Sequence, residues 1–179
     1  MPVVHARTLA EAQLYANLSV LLEDTGDVRS GTPEDGREAW TVRFGDIEAL
    51  VPYASEAAAA DAGFRFGVGH SELIDAGQWQ LISAEYAHRT LAEDLAFAEQ
   101  PDDGRYEDIV LGWQIARDAA IEVLKFVPPG QDRVPDEAFW TEVGLIARDR
   151  EPGRFTRTVL EADIAYYQHN LNDLRKTNT

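Results

Sequence analysis

Residues 105–127 read RYEDIVLGWQIARDAAIEVLKFV. At the helical period, Ile109, Trp113, Ala116, Ala120, Val123 and Val127 fall on one stripe, and Val110, Arg117, Ile121 and Leu124 fall on the stripe beside it. An apolar face that wide needs neighbours on two sides, so this stretch predicts the central helix of a bundle. Its charge is confined mainly to Glu107, Asp108, Asp118, Glu122 and Lys125, a narrow edge expected to meet water or a polar partner.

Helices are expected on both sides of it. Asp75 and Gln78 have the spacing of a capping box ahead of a helix to about residue 98. In that helix Leu81, Ala84, His88, Leu91, Leu95 and Ala98 keep a four-three rhythm, which reads as the core-facing stripe. Pro128, Pro129 and Gly130 terminate the central helix, and a shorter helix is expected over 135–147 with Phe139, Trp140, Val143 and Ile146. After Pro152 and Gly153 a last helix places Leu160, Ile164, Tyr167, Leu171 and Leu174 on one stripe and Val159, Ala162, Tyr166 and His169 on the next.

The pattern before residue 70 is different. Thr8 and Glu11 predict a capped helix over 8–23, followed by strands at 27–31 and 38–44. Two alternating runs, 39–44 and 47–52, flank Gly45-Asp46, which reads as a type II′ hairpin. A two-residue loop pairs Phe44 with Ile47, Val42 with Ala49 and Trp40 with Val51 on one face, and sets Arg43 against Glu48 on the other. Ser55 then reads as the cap of a short alanine helix closing at Gly63, and Phe64, Phe66 and Val68 as a third strand. The fold class expected is α+β, mainly helical. A lobe over 1–70, a helix with a three- to four-stranded antiparallel sheet, packs on a bundle of about four helices over 71–179, and the absence of a linker makes 1–179 a single domain.

The composition narrows the partners. The chain holds 32 acidic residues against 16 lysines and arginines, a formal net charge of −16, and Lys125 and Lys176 are its only lysines. Such a balance repels a phosphate backbone or an anionic membrane, which argues against nucleic-acid and lipid partners and favours basic ones. Residues 1–89 carry 14 acids and 6 bases and residues 90–179 carry 18 and 10, so each half nets −8 and no acidic tail exists. An even spread of this kind also fits an acidic, alanine-rich composition that simply keeps a protein soluble. With no cysteine, neither disulfides nor thiolate metal sites are available. No apolar run reaches the roughly 20 residues of a membrane span, and a cytoplasmic location is expected.

One constellation has the flavour of chemistry. Glu85 and His88 stand at i and i+3, a spacing that helical-bundle dimetal sites use, and Asp118, Glu122, Glu161 and His169 are the residues that would complete a site for one or two divalent metal ions. The motif has no second copy on the last helix. Its plainer reading pairs Glu85 with Arg89 on the surface and buries His88 as a hydrogen-bonded imidazole. Gly67-Val68-Gly69-His70 lacks the remaining residues of a dinucleotide or phosphate loop, and no G-x-S-x-G element is present. His70, Ser71 and Glu72 read either as an acid/base group or, preferably, as a loop in which Ser71 caps the next helix. His5 falls in a frayed terminus.

The aromatic residues offer a second kind of site. Trp40, Tyr166 and Tyr167 are candidate partner-binding residues, and since adjacent helical positions cannot face one neighbour together, one ring of the tyrosine pair is expected at a groove or interface. In element order and charge the chain resembles small secretion chaperones and immunity proteins that neutralise basic toxin domains. The function expected is therefore a small acidic protein-binding module without a cofactor, recognising a protein partner, with homodimerisation as a variant. The alternative is a metalloprotein or enzyme built on Glu85 and His88, with His169 as a further catalytic candidate.

Overall fold

The computed structural model describes residues 2–23, 31–101 and 103–177. The chain forms two compact units, Met1–Ile74 and Asp75–Thr179. The first carries the sheet and the second is helical, which gives the α+β class expected.

In the first unit the hairpin decides the geometry. Strands β3 (Ala39–Phe44) and β4 (Ile47–Pro52) pair antiparallel with Phe44 opposite Ile47, Val42 opposite Ala49, Trp40 opposite Val51 and Arg43 opposite Glu48, the register expected. Gly45 has φ 58°, the positive value that the first central position of a primed turn requires. The apolar face of the hairpin is buried through Val42, Phe44, Ala49 and Val51, against Ala12 and Ala16 of helix α1 (Leu9–Glu23). On the other face Arg43 Nε donates to Glu48 Oε2 at 3.1 Å.

The rest of the sheet differs from the expected one. Strand β1 (Val3–His5) runs parallel to β4, and β2 (Glu34–Asp35) flanks β3, so the order is β1-β4-β3-β2 and the sheet is mixed. His5 is therefore a strand residue paired with Leu50, and not part of a frayed end. Residues 64–68 form no strand: β1 already occupies the edge of β4, and Gly67 at φ 133° leaves the extended region. Of that run only Phe66 inserts into the core, while Val68 is half exposed. Ser55 lies inside helix α2 (Tyr53–Ala62) and donates to the Arg7 and Pro52 carbonyls, whereas Pro52 occupies the cap position. The strand expected at 27–31 lies outside the described residues but for Gly31.

Thr8 caps α1 by accepting the Glu11 N–H at 3.1 Å. The Glu11 carboxylate is buried, and it accepts Arg7 N at 2.7 Å, Arg7 Nη2 at 2.7 Å and Ser71 Oγ at 2.6 Å. A buried carboxylate is tolerable only when it is paired and hydrogen-bonded, and this one is both. Ser71 also accepts the Leu73 and Ile74 N–H groups, so it closes a turn before Asp75 and does not cap the following helix.

The second unit is built from α3 (Ala76–Glu99), α4 (Asp103–Leu124), α5 (Glu142–Arg150) and α6 (Arg157–Thr177). The central helix behaves as expected: Ile109, Trp113, Ala116, Ala120, Val123 and Val127 are all buried. Asp75 and Gln78 form the expected capping box of α3. The third helix starts later than expected, because Thr141 supplies its cap and residues Asp136–Ala138 make only a 3-10 turn. Glu122, expected on a polar edge, is instead 1% exposed and bonded to Lys125.

The largest departure is on α3. The residues it buries are Ala76, Gly77, Trp79, Ile82, Ser83, Thr90 and Phe97. The four-three stripe lies on another face: Leu81 and Ala84 are half buried, His88 and Ala98 are exposed, and Leu91 and Leu95 are 38% and 62% exposed. Small and polar residues dominate the true interface because α4 approaches very closely there. A Cβ on Gly112 would collide with Thr90 Oγ1, and Ser83 Oγ donates to the Ala116 carbonyl at 2.8 Å.

Candidate partner-binding face

The most structured part of the second unit surrounds Trp113. Its indole is fully buried, and Nε1 donates to Asp94 Oδ2 on α3 at 2.9 Å, which satisfies the one polar atom the ring carries. From α6, Tyr167 stacks on it with centroids 5.9 Å apart and planes at 27°, and Tyr166 meets it edge-on at 6.2 Å and 90°. The two tyrosines divide as their adjacency requires. Tyr167 is buried and its phenol shares a hydrogen bond with Ser83, whereas Tyr166 is 48% exposed. Burial, reinforced by the charge of Asp163, pushes the Tyr167 phenol above the ordinary tyrosine range.

Tyr166 thus stands as an exposed ring rooted on a buried tryptophan. Leu91 and Leu95 flank Asp94, the residue that holds the same indole from the α3 side. Together with His88, Ala84 and Leu81 they continue an apolar stripe along the outer face of α3. Glu85 and Glu99 are exposed beside this stripe. The outer face of α3 thus exposes aliphatic side chains with carboxylates beside them. Trp40 belongs to the first unit, where its half-buried indole packs edge-on against Tyr53 at 5.3 Å.

The other candidates do not converge. Glu85 and His88 are both exposed, so His88 is neither core-facing nor a buried imidazole, and Arg89 sets its guanidinium 4.6 Å over the Tyr86 ring. Asp118 is bonded to Arg117 at 2.6 Å and Glu122 to Lys125. Glu161 lies 3.8 Å from Arg157, and the exposed His169 pairs with Asp173 at 3.0 Å. Among the described residues, no group of three or more histidine, aspartate or glutamate side chains stands where it could hold a metal ion. His70 and Ser71 also part: Ser71 turns inward to Glu11, and His70 is exposed with Nδ1 only 3.4 Å from the Ser71 carbonyl.

Leu91 and Leu95, expected on the core-facing stripe of α3, are instead exposed. Their four-three spacing is visible in the sequence, but it marks an exposed face and not the core. Among the described residues no helix is long and apolar enough to cross a membrane. No protein-family model, curated protein or solved structure matches the chain.

Proposed function

We propose that this chain is a protein-binding module, without catalysis of its own, that takes a basic helical segment of a partner protein along the outer face of α3. The observation that carries the reading is the apolar stripe from Leu81 to Ala98, exposed from His88 onward, with Leu95 at 62% exposure. Its four-three spacing is that of a coiled-coil seam, and a seam turned to solvent leaves apolar area that another helix can cover. The exposed Tyr166 adds an aromatic anchor.

Charge selects the partner. Glu85 and Glu99 beside the stripe, on a chain of net charge −16, attract a basic segment and speed its encounter. A second copy of this chain brings the same negative charge, so a heterologous partner is favoured over a homodimer.

The test is cross-linked capture from the source cell with the wild-type chain and with Leu95→Asp, followed by hydrogen exchange on the recovered complex. The expected result is slowed exchange over 84–98 and loss of the partner in Leu95→Asp, whose circular dichroism stays that of the wild type. Equal recovery by both chains, or protection confined to other segments, would sink the reading.

A further inference from the structure

Helices α3 and α5 touch where neither has a side chain. A Cβ on Gly77 would collide with the Gly144 backbone, and one on Gly144 would collide with the Asp75 carboxylate. One to two turns further along, the helices stand apart and leave a half-open wedge of about 340 Å³. Its walls are mainly aliphatic, Leu81 and Ala84 from α3 and Val143, Ile146 and Ala147 from α5, and its polar lining is Gln80, Arg150, Arg154 and the Glu151 carboxylate that Arg154 neutralises. Ile146 is 49% exposed, so this apolar surface is available to a ligand.

Two arginines stand at the wedge, and they differ. Arg154 is engaged by Glu151 at 2.9 Å and by Asp163 at 3.6 Å. The Arg150 side chain is exposed and has no ion pair or hydrogen bond among the described residues. An arginine with no carboxylate partner at the mouth of an apolar wedge is free to take one from a ligand. A guanidinium presents a planar fork of donors that matches a carboxylate.

We infer that the wedge binds a medium-chain alkyl carboxylate, its chain laid against Leu81, Ala84 and Ile146 and its headgroup paired with Arg150. The volume is at the small end of the roughly 300–1,000 Å³ range of small-molecule sites. A protein partner needs far more, about 800 Å² of each surface, so the wedge by itself suits a small ligand. The inference is independent of the partner-binding reading, although Leu81 and Ala84 belong to both surfaces.

The experiment is calorimetric titration of the full chain, below micelle-forming concentrations, with decanoate and with decyltrimethylammonium. The net charge of −16 favours the cationic probe over the whole surface, so preference for the anion has to come from the site. Decanoate is expected to bind one to one and the ammonium probe to bind weakly or not at all. Arg150→Glu and Ile146→Asp, both at exposed positions, are each expected to weaken decanoate by at least about tenfold while leaving the circular dichroism unchanged. Leu95→Asp, which tests the partner face, leaves decanoate binding as it is. Equal binding of the two probes, decanoate affinity indifferent to Arg150→Glu, or no decanoate binding to the wild type would each overturn the assignment.

Discussion

The Asp75 carboxylate ties Thr141 to the start of α3: its Oδ2 accepts the Thr141 N–H at 2.7 Å and Oγ1–H at 2.6 Å, while its Oδ1 accepts the Gln78 N–H at 2.8 Å. One fully buried side chain thus caps α3 and holds Thr141, the cap of α5, and its negative charge lies at the positive ends of both helices. Asp75→Asn replaces an acceptor oxygen by a donor against N–H groups. We expect a loss of about 1–3 kcal/mol in denaturant unfolding. A midpoint equal to the wild type would show that the clamp contributes nothing.

The contact of Gly112 with Thr90 gives a coupled pair. Gly112→Ala forces a methyl group onto Thr90 Oγ1, an overpacking expected to cost roughly 1–3 kcal/mol. Adding Thr90→Ala removes the obstacle, so the double variant should be destabilised by less than the two single losses combined. Simple additivity in a double-mutant cycle would contradict so close an approach.

Ile82 and Leu95 test which face of α3 is inside. Ile82 is 2% exposed and Leu95 is 62% exposed. Ile82→Ala is expected to cost about 2–5 kcal/mol, and Leu95→Ala to stay within about 0.5 kcal/mol. Thermal or chemical unfolding of the two variants decides it, and a reversed order would restore the four-three stripe to the core.

Asp163 gives a pH dependence. Burial raises its pKa, and the opposing charge of Arg154, 3.6 Å away, does not fully compensate. A carboxyl whose folded pKa lies above its unfolded one costs stability at any pH above both values. That cost disappears as the pH falls below the unfolded value. Asp163→Asn is therefore expected to unfold at a higher temperature than the wild type at neutral pH, by no more than about 1 kcal/mol for a partly screened group. The gap should close near about pH 3. A variant that is less stable at neutral pH would show that the Arg154 pair outweighs the burial.

Much of this fold is legible in the sequence, and what is not has a physical reason that differs from element to element. The hairpin register was legible because both faces of 39–52 agreed, apolar on one and Arg43 against Glu48 on the other. The central helix was legible because its interface is made of large apolar groups. On α3 the buried face interleaves Trp79, Ile82 and Phe97 with Gly77, Ser83 and Thr90, and the last three carry little hydrophobic signal but allow close approach and a side-chain hydrogen bond to the Ala116 carbonyl. Apolar periodicity followed the leucines instead. The parallel pairing of β1 was invisible because partners more than 40 residues apart leave no local pattern. At the candidate site, the division of Tyr166 from Tyr167 followed from their adjacency, whereas Asp94 as the partner of the Trp113 indole had no sequence signature.

The parallel pairing of β1 with β4 also fixes an order of events in folding. The β3–β4 hairpin closes over the two residues Gly45 and Asp46, whereas β1 meets its partner only when Val3 reaches Glu48. Closing the longer loop costs more chain entropy, so the hairpin forms first and β1 docks on an edge already in place. Val42→Ala should then slow refolding in stopped-flow measurements, and Val4→Ala should chiefly speed unfolding. The strand earliest in the sequence is the last to find its place, and the lifetime of the native sheet, more than its rate of formation, depends on it.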